Sequence, residues 1–353
     1  AEWSEVRELV QVMGDLGAGI FEIAGEDTGR DLDRRRDYLE RLRDLAVETG
    51  VPVTWGMFSS RFMPDAWRAY FAMLDETARA GGRMFAQVHS RALSFETRLP
   101  FDRLPEWRDV RQRPLDDQRV LLRDAEVRRR LVKAAAAAEY GRVVGAEARK
   151  PDYEWTMLME DPCGPHRPIA EIARERGLDP VEALIEVALE RDLKAFFVQP
   201  LFNESFDDVL EMMKHPRSVV TFSDSGAHVS QIMDSSLQTQ VLAYWVRRRQ
   251  ALTLEEGVRM LTLEPASAWG FHERGLLREG LAADVIVFDP DRVAPDMPEV
   301  VNDLPAGARR LRQKATGFHA SIVNGQVVLR DGEHTGAHPG RLLRGPLAAG
   351  AYR

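Results

Sequence analysis

The sequence predicts an α/β protein built on a parallel sheet, followed by an all-β segment. Over the first 90 residues a helix, a glycine break and a short apolar strand recur three times, the pattern of βα units. The strands read as continuous apolar runs, as parallel strands covered on both faces do. Near residue 280 the pattern changes to short strands and turns alone.

The elements follow in order. Residues 4–16 read as an amphipathic helix with Ser4 as N-cap, and Gly17-Ala18-Gly19 breaks it. Ile20 to Ala24 reads as a buried strand. A charged helix over 31–49 ends at Gly50, and Val51 to Trp55 is the next strand. Pro64-Asp65 opens a helix that Gly81-Gly82 ends, and Arg83 to His89 is the third strand. Residues 91–165 are irregular, with a helix around 125–140, and read as a long excursion of the kind that often carries function. Helices return at 168–176 and 180–191, the latter opened by Asp179-Pro180. Ala195 to Val198 is a short strand, 205–213 a helix, and Ser218 to Asp224 a strong strand broken by Ser225-Gly226. Helices at 235–250, 253–261 and 264–269 follow. Asp284 to Asp289 is then a strand. Ala320 to Leu329 is a hairpin, because Asn324-Gly325 sits between two apolar runs.

Composition excludes several classes. The formal charge of −8 argues against bulk nucleic-acid binding, which needs a basic footprint. One cysteine, Cys163, permits no intrachain disulfide and no cysteine-rich zinc module. No apolar run reaches transmembrane length and no signal peptide is visible, so a cytoplasmic protein without membrane partners is expected.

Parallel βα units carry their chemistry at the C-terminal ends of strands. Asp224 ends the strongest strand and reads as a general base, a metal ligand, or a turn residue before Ser225-Gly226. His89 ends the third strand, where a neutral imidazole can bind metal, polarise a carbonyl or move protons. Glu22 alternates with apolar neighbours, so an inward carboxylate there would need a partner. Glu26 reads as a loop residue. His166 reads as a solvated loop histidine and Cys163 as structural. His215, His319, His334 and His338 read as surface residues. HxH, HExxH, GxSxG and P-loop motifs are absent.

An ordered series of motifs fills the C-terminal third. Phe222-Ser223-Asp224-Ser225-Gly226-Ala227-His228 is followed by Leu261-Thr262-Leu263-Glu264-Pro265-Ala266. Arg274-Gly275, Ala283-Asp284-Val285-Ile286-Val287-Phe288-Asp289, Val323-Asn324-Gly325 and Pro339-Gly340-Arg341 complete it. The series resembles the amidohydrolase superfamily, in its N-acyl-D-amino-acid deacylase (D-aminoacylase) branch. The resemblance implies a (β/α)8 (TIM) barrel of the metal-dependent-hydrolase type with a small β-sandwich. It also implies hydrolysis of a linear amide in a small-molecule substrate, assisted by zinc or another divalent metal. Asp224 matches the aspartate on the last barrel strand, a proton shuttle and candidate metal ligand. His89, Arg91, Ser225 and His228 are then the candidate substrate contacts, with Arg91 suited to a carboxylate.

The chain departs from that pattern. The HxH is absent, and Ala24-Gly25-Glu26 and Trp55-Gly56-Met57 stand where metal histidines are expected. It therefore reads as an N-terminally truncated fragment, with the remaining ligands upstream of Ala1. Residues 1–280 are expected to form the second half of the barrel, with the excursion at about 91–165, and 281–353 part of the sandwich. Such a piece is expected to be inactive alone and to expose open strand edges. The alternatives are a cyclic-amide hydrolase of the dihydroorotase or hydantoinase type, and a catalytically dead barrel that binds a partner.

Overall fold

The computed structural model describes residues 2–140, 150–227 and 229–343. Its centre is a parallel sheet of four strands, β1 (Phe21–Glu22), β2 (Val53–Met57), β3 (Met84–Val88) and β8 (Ser218–Val220), in the order β1-β2-β3-β8. Register pairs Glu22 with Thr54, Gly56 with Gln87, and Val88 with Val220. The strands named from sequence are therefore spatial neighbours, although about 130 residues separate the last two.

Helix α1 (Trp3–Leu16) precedes β1, and α2 (Leu32–Thr49) and α3 (Ala66–Arg79) connect β1 to β2 and β2 to β3. Asp31 caps α2 by accepting the Arg34 N–H, and Gly50 ends it at φ 67°, a left-handed turn that glycine enters without a Cβ penalty. Ser4 is not the cap of α1. The helix starts one residue earlier, at Trp3, so Ser4 lies inside its first turn. Trp55, Trp67, Leu74, Val88 and Trp245 pack in the core on the helix side of the sheet. The opposite face carries Glu22, Thr54, Gly56, Gln87 and, beyond β8, Thr221.

Residues after β3 leave the sheet and build a second unit. Strands β4 (Leu93–Thr97), β5 (Met157–Met159), β6 (Arg167–Pro168) and β7 (Phe196–Phe202) form an antiparallel sheet in the order β4-β7-β5-β6. Helices α4 (Pro105–Arg111), α5 (Leu115–Leu121), α6 (Ala125–Ala137), α7 (Ile169–Arg176) and α8 (Pro180–Glu190) surround it. Phe101, Trp107, Leu131, Ile172, Leu184 and Phe197 share its core, so the unit runs past residue 165 to the end of β7. The strand expected at 195–198 is longer and belongs here, paired antiparallel with β4 and β5. The chain returns through α9 (Phe206–Lys214) to β8.

The strand expected over 218–224 stops at Val220, and Thr221 to Asp224 continue as loop. The helix expected over 235–250 is divided. A 3-10 turn precedes α10 (Leu237–Gln240), and Val241–Arg248 winds as π-helix, with Arg249 N–H donating to Tyr244 O at 2.7 Å. After α11 (Leu254–Leu261) and α12 (Leu263–Ala268) come β9 (Val285–Phe288), β10 (Ala294–Pro295), β11 (Glu299–Val301), β12 (Arg310–Arg312), β13 (Ala315–Thr316), β14 (Phe318–Val323), β15 (Gln326–Arg330) and β16 (Glu333–His334). Strands β16-β15-β14-β9 form an antiparallel sheet whose hairpin turns at Asn324 (φ 46°) and Gly325 (φ 79°). Ile286, Val287 and Leu329 remain exposed on it. Among the described residues, no helix is long and apolar enough to cross a membrane.

Candidate functional site

The C-terminal ends of the four parallel strands open onto one region. His89 leaves β3 fully buried, and its Nδ1 accepts the backbone N–H of Arg91 at 3.1 Å. Burial, reinforced by the Arg91 charge, pushes the imidazole down to about 3, so it is neutral near pH 7. Arg91 is buried as well. Its Nη1 donates to Ser236 Oγ at 3.0 Å and its Nη2 to Glu96 Oε1 at 2.8 Å. Burial raises the Glu96 carboxyl to about 7 even though Arg91 opposes the shift.

Asn203, just after β7, holds this corner together. It is fully buried at φ 61°, a left-handed conformation that asparagine tolerates. Its Oδ1 accepts Ser59 N–H at 2.8 Å, its own N–H donates to Ser59 O at 2.9 Å, and its Nδ2 donates to Arg91 O at 3.3 Å. One side chain thus fastens the exits of β2, β3 and β7. Sequence reasoning missed both Asn203 and Glu96. An asparagine closing an apolar strand was the available signal for the first. Nothing local marks Glu96, whose partner lies across a turn.

Asp224 and Ser225 lie half-buried in the loop after β8, at the exit next to that of His89. Ser223 Oγ accepts Ser225 N–H at 3.2 Å and pairs with Ser225 Oγ at 3.0 Å, and Ala227 N–H donates to Asp224 O at 3.3 Å. The loop around Asp224 is therefore a hydrogen-bonded turn. His228 lies outside the described residues.

Glu22 is exposed and accepts Gln87 Nε2 at 2.9 Å, while Thr221 Oγ1 donates to Gln87 Oε1 at 3.3 Å, a polar chain from β1 through β3 to the loop after β8. Glu26 sits in the loop and pairs with Arg41 at 3.1 Å. His166, expected to be solvated, is half-buried, and burial first and Arg91 second push it down to about 4. His215 is also half-buried, edge-on to Phe71 with ring centroids 4.5 Å apart. Cys163 is buried, and desolvation raises its thiol to about 11, which suits a structural cysteine and not a nucleophile.

Among the described residues the geometry does not assemble a metal centre. Among the described residues no three His, Cys, Asp or Glu side chains stand together to hold an ion. At Gly56, where the resemblance expects a metal histidine nearby, a Cβ would stand 2.5 Å from Phe222 Cδ2. Phe222 in turn packs edge-on to Phe58 at 4.8 Å, and Phe58 stacks on Phe202 at 5.4 Å. Aromatic rings occupy the space above β2.

The motifs that follow the Asp224 segment prove structural. Arg274 pairs with Asp284 and donates to Asn324 Oδ1 at 2.8 Å. Asn324 N–H donates to Asp284 Oδ1 at 2.8 Å, and its Nδ2 to Pro339 O at 2.8 Å. A Cβ on Gly275 would stand 2.8 Å from that of Ala266. Five separated motifs thus meet, four in one hydrogen-bonded cluster and the fifth where Gly275 packs against Ala266, and this ties the C-terminal sheet to α12.

The sequence profile of the Amidohydrolase family matches residues 5–329. An N-acyl-D-aspartate deacylase of Alcaligenes xylosoxydans xylosoxydans is 32% identical over 200 residues, covering 54% of this chain and 34% of that protein. An N-acyl-D-glutamate deacylase of the same organism is 37% identical over 106 residues, covering 30% of this chain and 20% of that protein. The chain thus spans about a third or less of the length of these relatives. A D-aminoacylase crystal structure superposes with a TM-score of 0.55 at 19% identity, over 98% of this chain and 60% of that one. An N-acyl-D-glutamate deacylase from Bordetella bronchiseptica, complexed with zinc and a phosphonate inhibitor, gives 0.51 at 20%, over 95% and 58%. These two likenesses show a shared mixed α/β fold.

Proposed function

Because the chain belongs to the amidohydrolase family, we propose that it serves the hydrolysis of a linear amide in a small N-acyl-D-amino acid. In this reading β1, β2, β3 and β8 are part of a (β/α)8 wall, and the C-terminal strands are part of a small β-sandwich. The observation that carries it is the placing of Asp224. It stands on a braced turn at the strand exit beside His89, within the segment matched to the family.

A divalent metal, zinc foremost, belongs to this reading, and when bound it supplies an activated water. Solved relatives include one with zinc and a D-aminoacylase described by its binuclear metal centre. The described residues furnish no ligand set of three, so the roles below concern the chain's own groups. Asp224 takes a proton from the attacking water and returns it to the leaving amine. Ser225 shapes the rim beside it. His89 stays neutral and orders the Arg91 backbone. Arg91 meets a substrate carboxylate only by releasing Glu96. As built, it positions the β3 exit.

The test is turnover of N-acetyl-D-amino acids by a zinc-supplemented full-length preparation, with Asp224→Asn compared. The substitution is expected to lower kcat by about a hundredfold to ten-thousandfold at unchanged stability. Normal turnover by Asp224→Asn would sink the assigned role.

A further inference from the structure

A second cleft lies away from the strand exits, between the antiparallel unit and β12. It is narrow, with a cavity volume of about 40 Å³, and partly open to solvent. Arg98, at the end of β4, lies over the Phe196 ring at 4.4 Å, and among the described residues its guanidinium donates only to a carbonyl, Leu193 O at 2.8 Å. Arg111 on α4 enters from the side, and Arg309 before β12 closes the rim.

The charges do not balance. Glu96 reaches the wall of the cleft, but Arg91 holds its carboxylate. Arg310 is held in a two-point pair by Asp303, at 2.7 Å for each bond. That leaves Arg98, Arg111 and Arg309 facing a single carboxylate. Asp102 serves Arg111 at 3.1 Å and Arg309 at 3.8 Å, and among the described residues Arg98 has none. Burial and the neighbouring Arg111 charge both disfavour the Arg98 cation. A surplus of two positive charges, one of them half-buried against an aromatic face, is costly unless an anion shares the cleft.

We propose that this cleft is a binding site for a small dianionic oxyanion, a phosphate or a dicarboxylate, recognised by the guanidinium groups of Arg98, Arg111 and Arg309. Planar guanidinium forks match either oxyanion edge in two-point hydrogen bonding. The cleft joins two parts of the fold. Leu311 N–H on β12 donates to Val229 O at 2.7 Å, and Glu96 N–H on β4 donates to Gln231 O at 2.7 Å. The anion therefore clamps the segment that continues from the Asp224 loop, and binding is expected to raise Tm.

The experiment is calorimetric titration of the protein at pH 7.5 in oxyanion-free, low-salt buffer, with inorganic phosphate and separately with succinate. Saturable binding of either probe is expected, and the tighter probe assigns the class. Arg98→Gln and Arg309→Gln should each weaken it about tenfold or more. Arg174→Gln, on an exposed arginine paired with Glu154, should leave it unchanged. Arg309 is exposed, so its variant tests the site even if Arg98→Gln folds poorly. No saturable binding of either probe by the unsubstituted protein, or equal weakening by Arg309→Gln and Arg174→Gln, would overturn the proposal. The readout does not depend on amide hydrolysis.

Discussion

The Phe222 ring packs closely against Gly56, where a Cβ would come to 2.5 Å from Phe222 Cδ2. The glycine is needed here for space, since its φ lies outside the left-handed region. Gly56→Ala is therefore expected to destabilise the protein by about 1–3 kcal/mol through overpacking. Phe222→Ala in the same chain should remove most of that loss. Urea denaturation of both variants and the double variant measures the coupling.

The Arg91–Glu96 pair is buried on both sides, at 5% and 1% side-chain exposure. Removing one partner strands the other charge, so Arg91→Met should cost about 3–5 kcal/mol. Glu96→Gln should change the pH profile as well. The Glu96 carboxyl is raised to about 7 in the folded state, against an ordinary value near 4.5. Its contribution is complete below about 4.5 and is lost as pH rises through about 7. Stability curves of wild type and Glu96→Gln should diverge over that window and nowhere else.

His166 gives the opposite slope. Its folded value is lowered to about 4 from 6.5, so its contribution is present above 6.5 and lost as pH falls through about 4. His166→Gln should flatten the acid side of the stability curve, by at most about 3 kcal/mol. A curve of unchanged steepness between pH 6.5 and 4 would contradict the burial assigned to it.

Asn203→Ala removes the bonds to Ser59 N–H and Arg91 O, and leaves alanine at φ 61°. The unsatisfied Ser59 amide and the left-handed alanine should together cost about 2–4 kcal/mol. Hydrogen exchange reads the effect directly. The Ser59 amide should lose protection, while the Thr54 amide in the middle of β2 keeps it.

Sequence alone determined the local elements and the motif series. Apolar runs, glycine stops and the Asn324-Gly325 turn are short-range signals, because each arises from a few consecutive residues. They located all four parallel strands, although the first and the last proved shorter. The paired residues of the site were not legible in the same way. Arg91 and Glu96 are five residues apart with a strand start between them, and Asn203 reaches Ser59 across 144 positions. Such contacts depend on how the antiparallel unit folds back over the strand exits.

The tertiary structure also decided what the recognisable motifs do. Arg274, Asp284 and Asn324 are conspicuous in sequence, yet their hydrogen bonds are spent on one another and on Pro339. A histidine that ends a strand reads the same whether it meets solvent or core. Only packing showed His89 to be buried and neutral, since burial is set by chain segments more than a hundred residues away.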